Sequence, residues 1–204
     1  ANEANQSIQL KFNKTKIHLN FRELNLAVKL QNPEIIVKNH EIILSKLDLF
    51  LPLKSFISSD FLLQKAEVAF FNNDIKDIAK ITSIFVPRII NKRIKKIFSK
   101  GKIEGEFTIP FKPDGSVGEN YEIKAKILNA DLNINSDFII KNLSTDIKYV
   151  FKSKKDKKIN FLINKGNLLN LDLKQSSIDI NFKNDEKIIK SKIKTSGTFK
   201  YSEI

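Results

Sequence analysis

The residues able to carry acid–base, nucleophilic or metal chemistry are few and scattered. The chain has two histidines, His18 and His40, and no cysteine. His18 alternates outward from a strand-like run, and His40 sits between Asn39 and Glu41 in a turn-like setting. Neither has metal-ligand partners at a recognisable spacing. Without cysteine there is neither a disulfide framework nor a thiolate site. No Gly-x-Ser-x-Gly elbow and no phosphate-binding loop occurs, and Gly166-Asn167 reads as a turn. Asp131, Asp137, Asp146, Asp172 and Asp179 fall singly on outward positions or turns, unlike the paired carboxylates of general acid–base catalysis. The expectation is a protein with no catalytic, cofactor or metal-binding residues.

What the sequence holds in quantity is period-two alternation, the mark of half-buried strands. Ile8, Leu10 and Phe12 alternate with polar residues, as do Ile17, Leu19 and Phe21, then Leu24, Leu26, Val28 and Leu30. Leu47, Leu49 and Leu51 share a face opposite Lys46, Asp48 and Phe50, and residues 61–71 read as another strand. Ile103, Phe107 and Ile109 mark the next, with Gly105 at the intervening inward position. Ile123 and Ile127, Leu132 and Ile134, Ile147, Phe161, Leu169 and Leu171, and Ile180 carry the alternation towards the C-terminus. The count is about eleven strands, most joined by short turns. Among these turns are Pro113-Asp114-Gly115, where proline presets φ and glycine takes the positive-φ position, and the polar run 153–158. Short connections imply an antiparallel meander. No domain boundary is visible, so residues 1–204 read as a single β-rich domain.

Two segments break the pattern. Residues 52–60 read as a short helix or turn. Residues 74–100 read as one long amphipathic helix: Asp74 and Asp77 suit its positive end, while Lys92, Arg93, Lys95, Lys96 and Lys100 crowd its negative end, with Gly101 closing it. Ile78, Ile81, Phe85 and Ile89 form an apolar stripe, and Pro87 kinks the middle. The segment is too charged to span a bilayer, and no other stretch approaches the ~18 apolar residues needed. The chain lacks methionine, so the expectation is that Ala1 follows a cleaved segment or an upstream anchor.

The net charge of +13 comes from 36 lysines and arginines against 23 acids, and only Arg22, Arg88 and Arg93 are arginine. Arginine is the usual phosphate fork and base reader, so its scarcity argues against nucleic acid. An anionic membrane surface fits lysine better, and lysine on exposed strands also discourages wrong edge pairing.

Ten strands of about six residues present one face of roughly 1,000 Å². A 25-residue helix covers about 370 Å². The remaining apolar area exceeds what a soluble monomer leaves bare, so the sheet must curl, pack as a self-filled sandwich, or hold an apolar ligand. A groove of Ile, Leu and Phe accepts acyl chains without polar recognition, at about 0.8 kcal/mol per buried CH₂.

The run Leu47-Asp48-Leu49-Phe50-Leu51-Pro52-Leu53-Lys54-Ser55-Phe56-Ile57, with the strand that follows and its Asn72-Asn73-Asp74 step, resembles the AsmA-like superfamily. Phe85-Val86-Pro87-Arg88, then Gly101-Lys102-Ile103-Glu104-Gly105 and Asp114-Gly115, resemble its YhdP and TamB branch. The resemblance covers about residues 40–135. It implies a periplasmic protein of a Gram-negative envelope, anchored in the inner membrane, whose open taco-like β-groove moves phospholipid towards the outer membrane without a cofactor. On this reading Leu47, Leu49, Leu51, Ile123, Ile127, Leu132, Ile134, Ile147, Phe161, Leu169, Leu171 and Ile180 line the lipid path. Ile78, Ile81, Phe85 and Ile89 form a lid, and Lys92, Arg93, Lys95 and Lys96 meet an anionic membrane surface. The alternative is an envelope scaffold: a self-packed sandwich without lipid that contacts an outer-membrane assembly protein through a sheet edge.

Overall fold

The computed structural model describes residues 8–37, 40–56, 62–78, 97–135, 138–184 and 186–198. They form a mainly β structure: one antiparallel meander sheet of thirteen strands, not closed into a barrel. In chain order these are β1 (Ile8–Lys11), β2 (Lys14–Asn20), β3 (Asn25–Gln31), β4 (Glu34–Val37), β5 (His40–Pro52), β6 (Lys65–Asp74), β7 (Phe98–Pro110), β8 (Tyr121–Asn133), β9 (Ile139–Ser153), β10 (Asp156–Leu168), β11 (Leu171–Lys183), β12 (Glu186–Lys192) and β13 (Thr195–Gly197).

Several of these are pieces of one traverse. β3 and β4 both pair with β5, at its two ends, while β2 pairs with β3 and β1 with β4. β12 and β13 likewise both pair with β11. The sheet is therefore ten strand traverses wide, and three of them are interrupted. His40 opens β5 instead of occupying a turn, and Gly166 lies inside β10 opposite Leu173. The Pro113 turn is present: Gly115 has φ 77°, its N–H donates to the Lys112 carbonyl, and Asp114 accepts from Ser116.

The interruptions fall on a crease that crosses the sheet. Register shifts occur at Leu44/Lys46, Phe70/Asn73, Lys100/Lys102, Ile127/Ala130 and Ile163/Lys165. Left-handed backbone recurs beside this line at Asn32, Asn72, Asn129, Asn142 and Gln175. Asparagine tolerates that conformation better than most residues. Bulges cost ladder hydrogen bonds, and the buried polar residues replace them. The Asn73 side chain accepts from the Ile43 N–H (3.0 Å) and donates to the Ile43 carbonyl (2.9 Å). Ser144 Oγ accepts from the Asn129 N–H, and Ser176 Oγ accepts from the Lys194 N–H.

The long helix is not seen as expected. Residues 75–78 form a helical turn capped by Asp74, whose Oδ1 accepts from the Lys76 N–H. Residues 79–96, with Pro87 and most of the apolar stripe, lie outside the described residues. The far boundary is corrected: Phe98 and Lys100 belong to β7, and Gly101 is a strand residue, not a helix cap. Gly101 has φ 134°, and a Cβ there would lie 2.6 Å from that of Ala130, so the strand requires glycine. The short helix is one 3-10 turn, Leu53–Phe56.

Candidate apolar binding face

Directly opposed residues on antiparallel strands share a face. From β3 to β12 one such row reads Leu30, Leu47, Val68, Phe107, Ile123, Tyr149, Ile159, Ile180, Ile189. It contains no charge across nine strands, a width of about 38 Å at the usual strand spacing. The row above it, towards the crease, reads Phe70, Gly105, Ala125, Ile147, Phe161, Ile178.

The opposite face carries the charge. One of its rows reads Lys46, Ala69, Glu106, Lys124, Lys148, Asn160, Asp179, Lys190. Across this face lysines pair with carboxylates: Lys46 with Glu67 at 2.6 Å, Lys126 with Glu104 at 3.6 Å, Lys148 with Glu122 at 2.8 Å and Lys158 with Asp179 at 3.5 Å. Such exposed pairs contribute little stability each. Their use is to hold the register that keeps the apolar residues on the other side, since a one-residue slip would invert both faces. Lys46 holds Glu67 below the ordinary carboxylate range by a direct hydrogen bond, and Asn160, with Lys158, does the same for Asp179. Two cavities of about 580 and 540 Å³ lie on this charged face, among side chains such as Glu106 and Lys124 that are already paired.

The apolar face has partial cover. Ile75 is buried with Ile127 and Ala130, against Phe98, Ile103 and Ile147. Ile78 packs against a second cluster, Leu30, Ile42, Leu44 and Leu47. The connection after β6 therefore starts out across this face. A third cluster joins Ile140, Leu143, Ile163 and Leu173. Each cluster draws on neighbouring strands, and none joins strands from opposite ends of the sheet. Away from the helical turn, Ile123, Tyr149, Ile159 and Ile180 are half-buried, while Ile17 and Ile189 are exposed.

Register brings together most of the residues singled out from sequence. Leu47, Leu49, Leu51, Ile123, Ile127, Ile147, Phe161 and Ile180 share the apolar face. Leu132 and Leu171 join it above the crease, aligned through Ile140 and Leu168. Two positions are corrected. Ile134 lies past the end of β8 and is 58% exposed; Leu169 sits in the β10–β11 turn with φ 56° and is 49% exposed. In both cases a turn ends the alternation one step earlier than the apolar residue type indicates. Of the residues expected to form a lid, Ile78 packs against the apolar face, while Ile81, Phe85 and Ile89 lie outside the described residues, as do Lys92, Arg93, Lys95 and Lys96.

Sequence reading missed the rim of the face. Tyr121 stacks on Phe151 with ring centroids 4.9 Å apart, and Tyr149 meets Tyr121 edge-on at 6.2 Å. Burial, helped by the neighbouring Tyr121, raises the Tyr149 phenol above its ordinary value, so it stays a neutral donor. All three residues fall on strands that the alternation marks, but only register shows the three rings meeting.

Among the described residues no His, Cys, Asp or Glu group is arranged to hold a metal ion, and no helix is long and apolar enough to cross a membrane. No protein-family model matches the chain, and neither a curated protein nor a solved structure matches it.

Proposed function

We propose that the apolar face binds the acyl chains of phospholipid, and that the protein is a non-enzymatic lipid-binding groove serving phospholipid transport between the two membranes of a Gram-negative envelope, like the AsmA-like proteins its sequence resembles. The observation that carries this reading is the division of charge. Nine strands keep one row free of charge while their other side carries paired lysines and carboxylates. A sheet of this kind needs an apolar partner over one side and water over the other. Acyl chains meet that need without hydrogen bonds, and sliding along a row of branched aliphatics breaks no specific contact. Curling of the sheet into a taco-like groove, with Ile75 and Ile78 covering part of the face, would shield the chains from water. The periplasm, with an anchor in the inner membrane, is the setting this function requires. The self-packed alternative draws no support from the buried clusters, because among the described residues none bridges distant strands.

The test is mass spectrometry of lipids extracted from the purified protein. Phospholipid at near-stoichiometric amounts supports the reading, and lipid-free protein after gentle purification from an envelope fraction refutes it.

A further inference from the structure

We infer that Lys157 and Lys187 hold the phosphate of a lipid headgroup at the lower corner of the apolar face, the end bearing the β9–β10 and β11–β12 turns. This rests on the acyl-chain reading above and assigns that site its polar end. Below the crease, the described residues that register places on the apolar face are uncharged with two exceptions, and these are Lys157 and Lys187. They stand on either side of Phe182, directly opposite it on β10 and β12. Each ammonium nitrogen lies 5.9 Å from the centre of the Phe182 ring, the outer reach of a cation–π contact. On the charged face, lysines such as Lys124, Lys126, Lys148 and Lys158 have carboxylate partners. Lys157 and Lys187 have none among the described residues. Two like charges gathered on one ring with no paired carboxylate among the described residues form an anion site.

The setting specifies which anion. The two lysines stand two strand spacings apart, about 10 Å, a gap their flexible stems close around one phosphate. Above them Ile159 and Ile180, then Phe161 and Ile178, continue the apolar face to the crease. From Lys157 to Ile163 the strand rises about 20 Å, longer than the ~15 Å one leaflet contributes to a bilayer core. On the other side the rim is aromatic, with Tyr121, Tyr149 and Phe151 in contact. Lysine and tyrosine at the edge of an oily surface are the composition that sits at a lipid headgroup layer. A bare inorganic phosphate would use the charge and leave the apolar rows unexplained; a phospholipid uses both.

The experiment measures binding of fluorescent phosphatidylglycerol and of diacylglycerol with the same chains, both in dilute detergent, to the purified protein. The wild type is expected to bind phosphatidylglycerol more tightly. The K157Q/K187Q variant is expected to lose about three- to tenfold for phosphatidylglycerol and nothing for diacylglycerol. The K124Q/K148Q variant makes the same charge change on the other face and should lose nothing; an equal loss there would reduce the effect to overall charge and overturn the assignment. Equal losses for both lipids with K157Q/K187Q, or no loss for either, would also overturn it. Displacement by millimolar inorganic phosphate would mark a free-ion site instead of a lipid one. If the wild type binds neither lipid, the acyl-chain reading itself fails, which separates that failure from the failure of the headgroup site.

Discussion

The ring of Phe70 lies over Gly105 on the neighbouring strand, so that a Cβ at 105 would stand 2.9 Å from Phe70 Cζ and 2.9 Å from the Lys124 carbonyl oxygen. A glycine in mid-strand ordinarily weakens a sheet. Here it opens the space that an aromatic ring fills on the apolar face, an arrangement that offsets the cost of the glycine. Gly105→Ala should therefore lower stability by about 1–3 kcal/mol despite alanine's narrower unfolded ensemble. Urea unfolding of Gly105→Ala, Phe70→Ala and the double variant checks this. The cycle should show a coupling of at least ~0.5 kcal/mol, because removing the ring removes part of the clash.

Asn73 repairs the crease at Ile43. It is 8% exposed and satisfies both backbone groups of Ile43. Asn73→Leu removes both bonds and leaves a part-buried N–H and carbonyl without that partner, at a cost of about 1–3 kcal/mol. Besides the lower unfolding midpoint, amide exchange at Ile43 should accelerate well beyond that at Val28, which lies away from the crease.

Stability should also fall on the acid side through Glu67. Its folded pKa lies below the ordinary 4.5, chiefly because Lys46 donates to it. The stabilisation is present above pH 4.5 and disappears as pH falls through the folded value. Lys46 behaves in the opposite sense: its pKa is raised above 10.5, first by the same bond, so its contribution is lost only as pH climbs through that higher value. The pair is partly solvated, so the effect stays below about 1 kcal/mol. Thermal midpoints from pH 7 to pH 3 should decline less in Glu67→Gln than in the wild type, with the two curves converging at the acid end.

The ladder of strands was legible because alternation and turn chemistry are local signals. Leu47, Leu49 and Leu51 announce their shared face without help from any other strand. The crease was not legible. A bulge inserts one residue and resets the phase, and asparagine in a left-handed conformation at Asn129 or Asn142 looks in sequence like any polar outward residue. For the same reason Leu169 read as a strand residue: its type is apolar, and only the backbone shows that it turns the chain. The helix was misread at its far end because lysine and isoleucine recur on both sides of the boundary, from Ile94 to Ile97 and again at Lys100, Lys102 and Ile103, while Phe98 already pairs with Leu132 in the sheet. The pairing of Lys157 with Lys187 around Phe182 depends on which residues stand opposite across two ladders, and no single-strand pattern contains that information.

Register separates two adjacent apolar residues by function. Phe161 and Leu162 are neighbours in β10, and composition alone makes them equivalent. Phe161 stands opposite Ile147 and Ile178 on the apolar face, whereas Leu162 stands opposite Asp146 and Ser177 on the charged face, 42% exposed. A carboxylate at position 161 would project into the acyl path, where desolvating it without a partner is costly. The same carboxylate at 162 joins a row that already holds Lys126 and Asp146. Phe161→Asp should therefore abolish lipid carriage while circular dichroism still reports a β-sheet, with a stability loss of about 2–4 kcal/mol. Leu162→Asp should leave bound phospholipid unchanged within about twofold. If the two variants lose lipid equally, or only Leu162→Asp loses it, the acyl chains do not lie on the face that register assigns to them.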